Sequence, residues 1–180
     1  MHIELKLGEL TWSHCRINCD GRVIEIEFGD CSDAVGDLLR TALLIATGAP
    51  SATCSFDGEP YEWRLTLDWT LEWPNRLDVQ IRGFPDIYAR APNEEGELLY
   101  SIVCRPDDFA RAVARAGQAL LDELGIEGFD ARWRPNRFPI RALRSLQAAL
   151  SLEELPPLPP SRDDQVTLFI FRPSEDSVDQ

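Results

Sequence analysis

Histidine is scarce in this chain of 180 residues: only His2 and His14 are present. Histidine is the commonest general base near neutral pH, so acid–base chemistry of the usual kind has almost nothing to work with. Signature motifs are missing as well. There is no G-x-S-x-G elbow, no glycine-rich phosphate loop and no H-E-x-x-H, which argues against nucleotide enzymes of the common kinds. The longest apolar run, Ala42 to Ala46, is far short of a membrane span. The first ten residues, MHIELKLGEL, show neither the basic stretch nor the apolar stretch of a secretory signal. A cytoplasmic location is the expectation. Lysine is nearly absent too, since Lys6 is the only one among 18 basic residues. The rest are arginine, a matter of coding bias more than of chemistry.

Acid is what the chain has in excess. There are 31 Asp and Glu against 18 Lys and Arg, a formal charge of −13. The surplus is uneven: residues 1–104 carry 18 acids against 8 bases, whereas residues 105–150 carry 6 against 8. Such a field repels nucleic acid and anionic membranes over most of the surface and draws basic partners toward it. Five cysteines (Cys15, Cys19, Cys31, Cys54 and Cys104) are an odd number at irregular spacing, and they read as reduced thiols and not as a disulfide framework.

Periodicity predicts the elements. Ile3, Leu5 and Leu7 alternate with polar residues as in a half-buried strand. The segments TWSHCRI and RVIEIEF flank Asp20-Gly21, a hairpin turn signal, and place Glu25 and Glu27 on one face of the second arm. The run from Ser32 to Gly48 predicts a helix capped by Ser32 or Asp33, with apolar residues around most of its circumference. A meander follows: ATCSF, YEWRLTLDW, RLDVQIRGF and GELLYSIVCR. In its second strand Tyr61, Trp63, Leu65, Leu67 and Trp69 share the dry face, and Glu62, Arg64, Thr66 and Asp68 the wet one. A long helix is predicted from Pro106 to its stop at Gly125, and another from Pro139 onward. The fold class expected is α+β, a mostly antiparallel sheet of hairpin plus meander packed against two to three helices. A single domain over 1–151 precedes a proline-rich connector over 152–164. An extra edge strand over 165–172 and a disordered acidic tail over 173–180 complete the chain.

Candidate chemistry is thin. His14 beside Cys15, with Cys19 and Cys31 nearby, is the only metal-like grouping. Adjacent strand residues point to opposite faces, which argues against a shared ion or a Cys/His dyad. No cofactor, no metal and no catalytic set is therefore expected. Glu25 with Glu27, and Glu62 with Asp68, are carboxylate pairs on solvent faces. They suit either a partner's basic surface or, less simply, paired acid and base roles. The basic segment 127–146 surrounds Trp133 and Phe138 with arginines. Its Trp133 either joins a contact surface or plugs the end of the core. Arg132, Arg134, Arg141 and Arg144 are expected to clamp the helical end to the acidic sheet, their stems on apolar surface.

The order VGDLLRTALLIATGA, EPYEWRLTL, GELLYSIVC and then GFDARW with RFPIRAL resembles a group of small bacterial proteins with the same hairpin, helix, meander and helix layout, over about residues 20–150. That resemblance implies a fold and assigns no activity to any residue. In size, acidity and want of an active site the chain is also similar in type to the immunity proteins that bacteria pair with secreted toxins. The reading it implies is a non-catalytic acidic domain, of immunity or inhibitor type, that occludes a basic protein partner. Glu25, Glu27, Glu62, Asp68 and Trp133 are the candidate contact residues. The alternatives are a metal- or carboxylate-dependent enzyme using the same acids, and a homo-oligomer formed through residues 165–171.

Overall fold

Three strands at the start form an antiparallel sheet in the order β1 (His2–Lys6), β2 (Ser13–Cys19), β3 (Arg22–Phe28). The computed structural model describes residues 1–8, 12–70, 76–134 and 136–150. The expected connector at 152–164, edge strand at 165–172 and tail at 173–180 lie outside the described residues. Cross-strand register stacks Ile3, Ile17 and Ile24 in one row and Leu5, Cys15 and Ile26 in the next. These rows build the buried face. The β2–β3 turn needs two residues at positive φ, and Asp20 (φ 51) and Gly21 (φ 80) supply them.

The helix α1 (Ala34–Ala46) starts where the Asp33 carboxylate accepts a hydrogen bond from Gly36 N at 3.3 Å. It ends at Gly48, whose φ of 93 is the left-handed stop that glycine allows. Val35, Leu38, Leu39, Ala42 and Ile45 are all essentially inaccessible, so this helix runs through the middle of the core. It touches α2 (Pro106–Arg132), α3 (Ile140–Ala149) and the first strand of a second sheet.

That second sheet is a four-stranded meander, β4 (Ser51–Gly58), β5 (Tyr61–Trp69), β6 (Leu77–Phe84) and β7 (Glu97–Cys104), in sequential order. The fold is α+β, as the alternation and helical spacings imply. The hairpin and the meander form separate sheets, and β3 joins them. Its carbonyls accept from side chains of the meander: Glu27 O from Trp63 Nε1 at 3.0 Å and Arg22 O from Tyr100 Oη at 3.0 Å. Gly29 N donates to Asp57 O at 2.7 Å. An edge strand exposed to a second chain invites unwanted pairing, and these donors cover part of it.

The long helix stops at Gly125, as its sequence implies, and a short second helix follows within α2. The chain breaks there (φ 63, ψ 175) and resumes helical geometry to Arg132. Only glycine adopts such a backbone readily, so the residue that terminates the first helix also sets the bend into the second. The resumed turns carry Phe129 and, four residues on, Trp133 into the core. Trp133 meets Phe28 edge-on at 5.6 Å, Phe28 meets Phe56 at 5.2 Å, and Phe129 meets Phe138 at 5.1 Å.

Candidate functional site

The polar face of the meander is less wet than alternation implies. Glu62 has a side chain only 8% exposed and forms a two-pronged pair with Arg64, Nε to Oε1 and Nη2 to Oε2, both at 2.8 Å. Ser55 Oγ donates to the same Oε1 at 2.6 Å. Arg64 Nη1 then reaches Ala91 O at 2.9 Å and Asn93 Oδ1 at 2.7 Å, and the guanidinium lies 4.2 Å over the ring of Phe84. The loop between β6 and β7 is thus tied down across the sheet. Burial, the largest influence on Glu62, pushes its carboxyl upward, but the hydrogen bonds from Arg64 and Ser55 outweigh it and hold the carboxyl below its usual range. Both oxygens are engaged, so Glu62 is a structural anion. It is neither a solvated contact residue nor a partner for Asp68, which lies exposed six residues away, about 20 Å along the strand. The Glu62–Asp68 site expected from the sequence is not formed.

Glu25 and Glu27 do lie exposed on the outer face of the first sheet. They do not form a bare acidic row. Register puts Arg16 between Glu4 and Glu25, and His14 between Lys6 and Glu27. Lys6 Nζ is 2.8 Å from Glu4 Oε1, and His14 Nδ1 is 3.5 Å from Glu25 Oε1. Charges of alternating sign in solvent contribute little to stability and neutralise most of the local field. Cys15 is fully buried behind His14, as opposite-facing neighbours must be. Among the described residues no group of three His, Cys, Asp or Glu is placed to hold a metal ion.

Trp133 is 1% exposed and belongs to the core, which removes it from the contact surface in this conformation. Arg132, Arg134 and Arg141 are exposed and make no ion pair among the described residues, and Arg144 Nη1 donates to Gln147 Oε1 at 3.1 Å. Two further bonds tie the loop down: Asp130 Oδ1 accepts from Phe138 N at 2.8 Å, and Asn136 Nδ2 donates to Ser32 O at 3.0 Å.

No sequence pattern announces what gathers at the β4–β5 turn. Asp33 and Asp37 flank Arg40, at 2.6 Å and 2.7 Å, at the start of α1. Nearby, burial pushes the Asp57 carboxyl upward, reinforced by the charges of Glu62, Asp37 and Glu59 and opposed by Ser32. On the other face of the β4–β5 hairpin lies an aromatic ledge. The rings of Tyr61 and Trp63 stack with centroids 6.4 Å apart and planes 19° from parallel. The indole lies flat because its flanking positions are Gly58 and Gly83. A Cβ on Gly58 would stand 3.2 Å from Trp63 Nε1, and one on Gly83 would stand 3.4 Å from Trp63 Cζ3 and 2.8 Å from Leu99 Cδ1. Leu99, 40% exposed, extends the ledge, and Tyr61 is 52% exposed. Tyr88, 75% exposed, borders it with its hydroxyl 3.5 Å from Glu59 Oε1. Two exposed carboxylates border it, since Glu59 precedes Pro60-Tyr61 and Glu97 pairs with Gly83, while Glu27 contributes only the backbone carbonyl that accepts from the indole. Four separate segments supply these residues, so no local pattern could have shown them. The one legible signal was Tyr61 and Trp63 spaced two apart on a strand, which reads equally well as core.

No family model matches the sequence, and no curated protein matches it. Among solved structures, a chain from the CdiA-CT/CdiI toxin and immunity complex of Enterobacter cloacae superposes with a TM-score of 0.41 at 7% identity, over 64% of this chain and 99% of that one. No helix among the described residues is long and apolar enough to cross a membrane.

Proposed function

We propose that this protein is a non-catalytic acidic binding domain that occludes a basic protein partner, in the manner of an inhibitor or immunity protein. The observation that carries the reading is the Tyr61–Trp63 stack, with Tyr61 exposed and Trp63 partly buried against the core, bordered by the carboxylates of Glu59 and Glu97 on a chain of charge −13. Aromatic side chains that remain accessible beside charge are enriched at protein interfaces, where the rings supply contact area at small entropic loss. The surrounding acids steer a basic surface toward them and add rate more than affinity. The carboxylates that the sequence offered for acid–base work do not converge: Glu62 is saturated by Arg64 and Ser55, Asp68 stands far off, and Glu25 faces His14.

The test is capture from the native host at low salt, identification of the bound protein, and a salt titration of the purified pair. A basic partner whose association slows steeply with salt, and whose own activity falls on binding, supports the reading. A neutral or acidic partner held equally well at high salt overturns it.

A further inference from the structure

We infer that the ledge at the β4–β5 turn is an arginine-accepting subsite: a guanidinium from an extended basic segment of the partner lies on the Tyr61–Trp63 stack, held at its edge by Glu59 or Glu97. This rests on the reading of the protein as a binder of basic partners and goes further, to the side chain recognised. The protein already contains one completed version of the arrangement and one partial one. On the opposite face of the same sheet Arg64 covers Phe84 at 4.2 Å while Glu62 takes its fork; elsewhere Arg22 lies 5.9 Å over Tyr100 and donates to Ser101 O. At the ledge the rings and the carboxylates are present, but among the described residues no cation lies over Tyr61 or Trp63. Tyr61 presents its surface to solvent, Leu99 supplies an apolar wall for the aliphatic stem, and Glu59 and Glu97 are exposed on either side. A planar, weakly hydrated guanidinium suits a stacked ring with a carboxylate beside it, whereas a compact ammonium gains less from the same geometry. The complementarity of charge selects this occupant over a second copy of the acidic chain, which would bring like charges together.

The indole N–H of Trp63, bonded to Glu27 O, is a built-in reporter. The experiment is titration of the full chain with two blocked peptides, one of alternating glycine and arginine and one of glycine and lysine, at low ionic strength. It is read by the Trp63 indole resonance, assigned with the Trp63→Phe variant. The expected result is a shift of that resonance by the arginine peptide, at least about threefold tighter than the lysine peptide, and a loss of about fivefold on Tyr61→Ala. Glu59→Gln with Glu97→Gln reduces binding further and leaves the ring contribution in place. Equal affinity for both peptides with shifts confined to the first sheet overturns the subsite, as does no shift at low salt. An indole that moves with protein concentration and ignores peptide assigns the ledge to a second copy and also overturns it. If a natural basic partner binds Tyr61→Ala with unchanged affinity and undiminished salt dependence, the subsite fails while the broader reading stands.

Discussion

Trp63 and Gly83 face each other across the β5–β6 pair, and the bare backbone of the glycine is the floor on which the indole lies. The aromatic ledge exists because one side chain of that pair is missing. Gly83→Ala places its methyl against the far end of Leu99, which can turn aside, so stability changes by less than about 1 kcal/mol. Gly83→Leu has no such outlet and lifts the indole. The expected loss is about 1–3 kcal/mol from overpacking, together with the Trp63 Nε1 to Glu27 O bond. Chemical denaturation and the indole resonance read the two effects separately.

The Glu62–Arg64 fork yields a second expectation. Arg64→Met leaves a carboxylate that is 8% exposed without its cation, and a loss of about 3–5 kcal/mol follows. Glu62→Leu combined with Arg64→Met recovers a large part of it, because no charge is then left buried. The pH dependence has a definite sign. The folded protein holds the Glu62 carboxyl below its unfolded value of 4.5, so the stabilisation is fully present above that value. It is lost as pH falls through the lower, folded value. Acid titrations of stability, wild type against the double variant, show the wild type losing its advantage below pH 4.5.

Trp133 separates volume from polarity. Its Nε1 is buried with no hydrogen-bond partner among the described residues. Trp133→Ala empties the junction of Phe28 with the end of α2 and costs about 3–5 kcal/mol. Trp133→Phe loses part of the ring and also sheds an unsatisfied donor, a penalty on the order of 1–3 kcal/mol. The phenylalanine variant is therefore expected within about 1.5 kcal/mol of wild type by urea denaturation.

Thiol labelling distinguishes the five cysteines. Cys31 is exposed; Cys15, Cys19 and Cys54 are buried, and Cys104 is half-buried. Burial pushes the Cys54 and Cys104 thiols up to about 12, and Cys15 higher still. Mild alkylation of the folded protein followed by mass spectrometry is expected to give a single rapid addition, mapped to Cys31, and five after denaturation. Rapid modification of Cys15 or Cys54 would show that the core opens far more often than its packing implies.

Periodicity revealed the elements well. Alternation placed β1 to β7, the Asp20-Gly21 turn and the Asp33 cap. It missed the division into two sheets, because the bonds that join them come from Trp63 and Tyr100, residues whose facing pattern is the same in either arrangement. Glu62 was misplaced for a related reason: alternation reports which face a residue is on, and the cover that the 85–96 loop puts on that face is a tertiary fact. Trp133 read as ambiguous because Gly125 looks like a terminator in sequence, and only the resumed helix beyond it delivers the ring to the core. The candidate contact surface was the least legible, since its residues come from β3, the β4–β5 turn, the 85–96 loop and β7.

The bend at Gly125 sets how this region can diverge. Seven residues of resumed helix, 126–132, lie between the bend and Trp133, and each residue added or deleted there rotates the indole by about 100° about the axis. Homologues should therefore vary freely in the identity of the solvent-facing residues in that stretch and yet never in its length, whereas gaps accumulate in the loops on either side.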